Sequence, residues 1–170
     1  MANRPFARLK RQAGEAGAAT VELAVGLLVF LMLILGVVEF GYALFDWARV
    51  AEATRAGART AIVSDPDTDL SSLYTGCDDP TPPAPVEAEP SDRVFATMQR
   101  IFPRLERDQV LVTYACSGTG AEERPRPILT VTVETQGVLH TLITPQLLGL
   151  DGTWTLPAFS STRTSEDLAG

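Results

Sequence analysis

Side chains that do acid–base or metal chemistry at neutral pH are scarce in these 170 residues. There is one histidine, His140, one lysine, Lys10, and only two cysteines, Cys77 and Cys116. One histidine and two distant cysteines make no zinc-binding spacing. No serine sits in a nucleophile elbow, and neither a phosphate-cradling glycine loop nor a dinucleotide fingerprint is present. The acids Asp65, Asp67, Asp69, Asp78 and Asp79 lack the spacing of an EF-hand and read as a solvated loop, with weak calcium chelation as the alternative. Positive charge is short as well. Residues 1–17 hold Arg4, Arg8, Lys10 and Arg11 against Glu15, a net +3, which leaves −10 for the rest of a chain whose total is −7. Phosphate binding needs clustered cations, so an acidic body argues against nucleic acid as a partner. These residues imply no enzyme and no cofactor, and His140, set in an apolar run, reads as structural.

Apolar residues are concentrated rather than missing. No residue from 23 to 38 is charged, and the run resumes after Glu39 through Phe45. That exceeds the ~18 apolar residues that indicate a membrane-spanning helix, and it is too long for the ~7–15-residue core of a cleaved signal peptide. Tyr42 and Trp47 stand at its far end, where aromatic side chains favour the interface. The basic segment before the run orients it with the N-terminus in the cytoplasm and everything after residue 45 outside. Disulfides persist there, and a Cys77–Cys116 bridge would stabilise the outer domain by roughly 4 kcal/mol in the chain-entropy model. Two unpaired thiols remain the alternative.

The helix is expected to continue beyond the bilayer. At 100° per residue Trp47, Val50, Ala51, Thr54, Ala58, Ala61 and Ile62 share one face, with Asp46, Arg49, Glu52, Arg55 and Arg59 opposite. Asp65-Pro66 should end it, because a residue before proline avoids the α region. The chain then divides into a basic segment 1–17, a membrane helix 18–45, an amphipathic continuation 46–63 and an outer domain 64–170. That domain opens with an irregular connection around a proline-rich loop, 80–90. A short helix follows, with Val94, Met98, Ile101, Phe102 and Leu105 at helical spacing. Ser91 or Asp92 would cap it and Pro103 would shorten it. Val110, Val112, Tyr114 and Cys116 alternate, as do Leu129, Val131 and Val133, so two strands are predicted, with a turn at 118–127. Residues 138–143 and 154–160 are weaker strand candidates. The expected class is α+β, a long helix followed by a small antiparallel sheet.

Where the basic segment meets the apolar run stands Gly17-Ala-Ala-Thr-Val-Glu22-Leu23. This layout resembles a type IV prepilin: a basic leader, a glycine, four residues, a glutamate and then the hydrophobic helix. The resemblance implies cleavage by a prepilin peptidase between Gly17 and Ala18, with Glu22 the fifth mature residue. A carboxylate entering lipid costs up to ~2.5–3.5 kcal/mol at a helix centre, and less near the interface. The amine that cleavage creates on Ala18 could offset this by pairing with Glu22 of a neighbouring helix. Glu22 capping an uncleaved signal-anchor helix is the alternative.

The likeness narrows to the TadE-like family of Tad (Flp) pilus systems. Members carry Gly-Ala-Ala-x-Val-Glu, a second glutamate late in the span and an Arg-x-Gly-Ala-Arg run soon after. Here these are Glu22, Glu39 and Arg55-Ala-Gly57-Ala58-Arg59, and Leu156-Pro-Ala-Phe-Ser-Ser-Thr-Arg163 resembles the family's closing strand. Glu15 in the leader and the proline-rich insertion depart from the pattern. The resemblance implies a pilin-like minor pilin or pseudopilin of the bacterial inner membrane, with a periplasmic outer domain. Its implied partners are prepilin peptidase, other pilins, the inner-membrane pilus platform and membrane lipid. Glu39, with Gly36 and Ala43 on its face, would either meet another helix or reach the headgroups. An uncleaved single-pass protein with a periplasmic binding domain is the competing reading.

Overall fold

The computed structural model describes residues 5–117, 128–147 and 149–165, and for residues 5–16 the backbone alone. The fold is α+β, a long apolar N-terminal helix followed by a small antiparallel sheet with short helices. Helix α1 spans Pro5–Ala61, and from Gly17 onward it is long and apolar enough to cross a membrane. From Pro5 to Gly17 the basic segment is continuous with it in the backbone. The helix stops at Ala61, shortly before the expected Asp65-Pro66 break. The leader side chains through Ala16 and the expected turn at 118–127 lie outside the described residues.

Two compact units form. One joins the helix through Tyr42 to Leu142–Gly152, and the other joins Ala43–Thr141 to the chain from Thr153. In the second unit β2 (Val110–Cys116) and β3 (Leu129–Thr135) form the antiparallel pair that alternation predicted, with Val112 opposite Val133 and Tyr114 opposite Val131. Their inward residues Val110, Val112, Tyr114, Leu129, Val131 and Val133 are buried, and Thr132 on the outer face bonds Thr162 at 2.9 Å. Helix α3, Asp92–Ile101, is capped by Ser91, whose hydroxyl accepts from Val94 N. It ends one residue before the Phe102-Pro103 step. Val94, Met98 and Phe102 join Val50, Ala53, Ala58 and Ala61 of α1 in one core against the sheet. Arg107 secures the start of α3, donating to Pro90 O and Asp92 Oδ1, each at 2.6 Å, and lying over the Phe95 ring.

The connection read as irregular carries two elements. Helix α2, Ser71–Gly76, buries Leu73, and β1, Val86–Ala88, pairs with β2 at the edge of the sheet. Neither has a local signature: β1 follows a proline run and exists because β2 offers its free edge. The two weak candidates resolve into three strands. Strands β4 (Leu139–Thr141) and β5 (Thr153–Thr155) form their own two-stranded sheet, with a short helix α4 (Ile143–Leu147) between them in the chain. Strand β6, Phe159–Thr164, instead joins β3 and completes the order β1-β2-β3-β6. Pro157 lies between β5 and β6, and its lack of an N–H separates strands belonging to different sheets.

Cys77 at the C-cap of α2 and Cys116 at the end of β2 form a disulfide, with Cα atoms 5.5 Å apart. The buried Tyr114 carries a pH consequence. Burial, with Asp67 and Tyr74 adding to it, pushes its phenol up to about 12. The unfolded phenol ionises near ~10, so between these values the folded state holds more protons. This contribution to stability is complete below about pH 10 and is lost as pH rises through about 12. Melting temperatures at these two pH values should differ more for wild type than for Tyr114→Phe. An equal alkaline loss in both would show that Tyr114 is not its source.

Candidate functional site

From residue 17 to 42 the side chains of α1 are exposed or half-exposed. Val21, Leu23, Phe30, Leu33 and Val37 each show more than half of their surface. A Cβ built on Gly17, Gly26, Gly36 or Gly41 would meet nothing within 4 Å. This apolar surface therefore awaits cover that the helix itself does not supply, from lipid or from other helices. Gly17, Ala18 and Glu22 are all exposed on it. Ala18 and Glu22 are four apart and stack on the same side, so an amine on Ala18 and the Glu22 carboxylate would face one neighbour together.

Glu39 has a partner within the chain that neither sequence alternative included. Its Oε1 accepts from the backbone N–H of Ile143 and from that of Thr144, the latter at 2.6 Å. Both donors lie at the start of α4, whose first N–H groups have no partner inside so short a helix.

Asp46 corrects the amphipathic reading. Periodicity places it on the solvent face, but it is 2% exposed, in line with the buried Ala43, Val50 and Ala53. Trp47, assigned to the core face, is 40% exposed and packs its ring 5.2 Å from that of Phe159. The expected faces otherwise hold, with Val50, Ala51, Thr54, Ala58 and Ala61 buried and Glu52, Arg55 and Arg59 exposed, and the buried stripe widens to take in Asp46. The cause is chemical: Asp46 Oδ2 accepts from Arg104 Nη2 and from His140 Nδ1, the latter at 2.8 Å. A carboxylate accepts there only from a ring that carries a proton on Nδ1. His140 is itself 4% exposed, which supports its structural reading. A lone histidine in an uncharged strand signals that a polar partner must be found, yet nothing local names Asp46 or Arg104.

The Arg55-to-Arg59 run splits by face. Arg55 and Arg59 are exposed, with Arg55 paired to Glu52 at 3.6 Å, while Gly57 and Ala58 are buried. A Cβ at Gly57 would come within 2.6 Å of Met98 Sδ, so the glycine lets α3 approach α1 closely. Two small residues between two arginines therefore serve packing inward and polarity outward. Among the described residues no group of three or more His, Cys, Asp or Glu could hold a metal ion.

Neither a search of curated proteins nor one of solved structures returned a match. A family model described as TadE-like protein matches residues 17–59. The matched span starts at the glycine before Glu22 and ends at Arg59, so it takes in the apolar run, Glu39 and the Gly57-Ala58 packing site. The TadE-like family is one of Tad pilus assembly and not a family of enzymes. By motif and by family match, residues 17–59 of this chain are similar to the TadE-like family.

Proposed function

We propose that this chain is a minor pilin or pseudopilin of a Tad/Flp pilus system, held in the bacterial inner membrane with its N-terminus in the cytoplasm and its sheet domain in the periplasm. A prepilin peptidase cuts between Gly17 and Ala18. The exposed helix then associates with other pilins and with the inner-membrane platform, and Glu22 sets the axial register by pairing with a neighbour's Ala18 amine. The carrying observation is the uncovered apolar surface of α1 with its exposed acid, Glu22, one turn from Ala18. A buried, water-free ion pair of this kind is strong only when both partners are present and aligned, which suits a register device. Helix α1 runs through Gly17 without a break, and glycine's weak helix propensity eases the unwinding a peptidase needs.

The mass of the natural N-terminus in a peptidase-bearing cell tests this directly. A mature start at Ala18, and retention of the leader in Gly17→Ala, are the expected results. An intact Met1 or Ala2 in the wild-type chain would instead support the uncleaved anchor. Glu22→Gln should leave processing in place and abolish piliation in a strain that depends on this subunit.

A further inference from the structure

Residues 138–150 contain no Asp, Glu, Lys or Arg. Most of this stretch is the loop Leu142–Gly152, which groups with the membrane helix. Its ends are tied by Leu142 N donating to Gly152 O at 2.6 Å. Inside it Leu150 N donates to Pro145 O at 2.9 Å and Gly149 N to Gln146 O at 3.0 Å. Two glycines make the closure possible. Gly149 has φ +72°, and a Cβ on Gly152 would stand 2.4 Å from Leu142 O. A loop so thoroughly bonded to itself should turn its apolar side chains inward, yet Ile143 is 65% exposed, Leu147 69% and Leu150 62%. Asp151, its single charged residue, stands at the base where the ends meet.

We infer that this loop is a membrane-inserted element, which enters the leaflet around the Glu39 end of the helix and presents Ile143, Leu147 and Leu150 to acyl chains. Two independent observations place lipid there rather than water. The first is depth. Glu39 lies seventeen positions past Glu22, about 25 Å along the axis at 1.5 Å per residue, inside a hydrocarbon layer of about 30 Å. The N–H groups of Ile143 and Thr144 reach its carboxylate, so the loop begins at that depth. The second is satisfaction. Backbone polar groups in hydrocarbon must be paired within the protein, and this loop pairs Leu142, Ile143, Thr144, Gly149 and Leu150 N–H internally or with Glu39. A solvent loop has no need of that, nor of an uncharged tip. Through Glu39 the loop is tied to the part of α1 whose apolar side chains are uncovered. Glu39 and the loop thus support each other: the acid gains donors, and the loop gains an anchor. The inference requires only that α1 spans a bilayer and is independent of peptidase processing.

The test uses the full chain in phosphatidylcholine vesicles whose acyl chains carry bromine. Trp47 and Trp154 are replaced by Phe, and Leu147→Trp becomes the reporter. Brominated lipid should quench this tryptophan several-fold relative to ordinary vesicles, and aqueous iodide should hardly affect it. Quenching by iodide alone would place the loop in water, and quenching by neither would place it against a second copy or another protein. Either result overturns the inference. Should the double-Phe background fail to fold, Leu147→Trp and Leu150→Trp in the otherwise wild-type chain, read as increments over the native tryptophans, give the same discrimination. A chain still bearing Met1 that nevertheless shows bromine quenching would sink the pilin reading and leave this one standing.

Discussion

Replacing Asp46 with alanine should destabilise the sheet unit by about 3 kcal/mol, the lower end of what breaking a buried ion pair costs. The estimate follows from what each partner can do afterwards. Arg104 has a side chain 58% exposed and turns to water with little loss. His140 has a side chain 5% exposed and cannot, so its Nδ1–H would be left in the core without an acceptor. The penalty therefore sits with the histidine. Arg104→Ala should cost less than about 1 kcal/mol, as exposed ion pairs do. Asp46→Asn keeps the shape and one acceptor and should fall between the two. Urea unfolding of the full chain in detergent, followed by near-ultraviolet circular dichroism, ranks the three variants. If Asp46→Ala unfolds together with wild type, the cluster does not hold β4 to α1 in the way its geometry indicates.

The second large effect is that of the disulfide. Cys77→Ala with Cys116→Ala should remove roughly 4 kcal/mol, within the 2–5 kcal/mol usual for a native bridge. The sequence separation is 39 residues, and the closed segment contains β1, α3 and β2. Opening it frees those elements together in the unfolded chain, which raises its entropy. In the folded state Cys77 and Cys116 still pack at the edge of the core, so native contacts suffer little. At about 4–8 °C per kcal/mol for a domain of this size, the melting temperature should fall by tens of degrees. Reductant added to wild type should reproduce the double variant. Unchanged melting under reductant, together with two reactive thiols in the untreated protein, would remove the bridge from the account.

Both effects concern residues far apart in the chain, and legibility in the sequence divides along that line. The apolar run of α1, the Ser91 cap and Pro103 stop of α3, and the alternation of β2 and β3 were all readable. Each is a pattern among neighbours, stamped by the 3.6- or two-residue period of one element. The Gly17-to-Glu22 motif, where the family match begins, is local in the same way. Strand β1 was not, because a proline-rich segment becomes a strand only when β2 presents an unpaired edge. Nor was the division of residues 154–160 between β5 and β6, since those residues could pair with either of two strands.

The sequence by itself determined that this protein has a membrane-length helix of TadE-like character followed by an α+β body. Helical and strand periodicity and a long uncharged run are local quantities, complete before any folding. Only the tertiary structure decided that Asp46 lies inside with His140 and Arg104, and that Glu39 is met by the start of α4. Those choices depend on which distant groups arrive within 3 Å of a carboxylate. A charged residue is polar in every sequence pattern and becomes part of an interior only where its partners are brought to it.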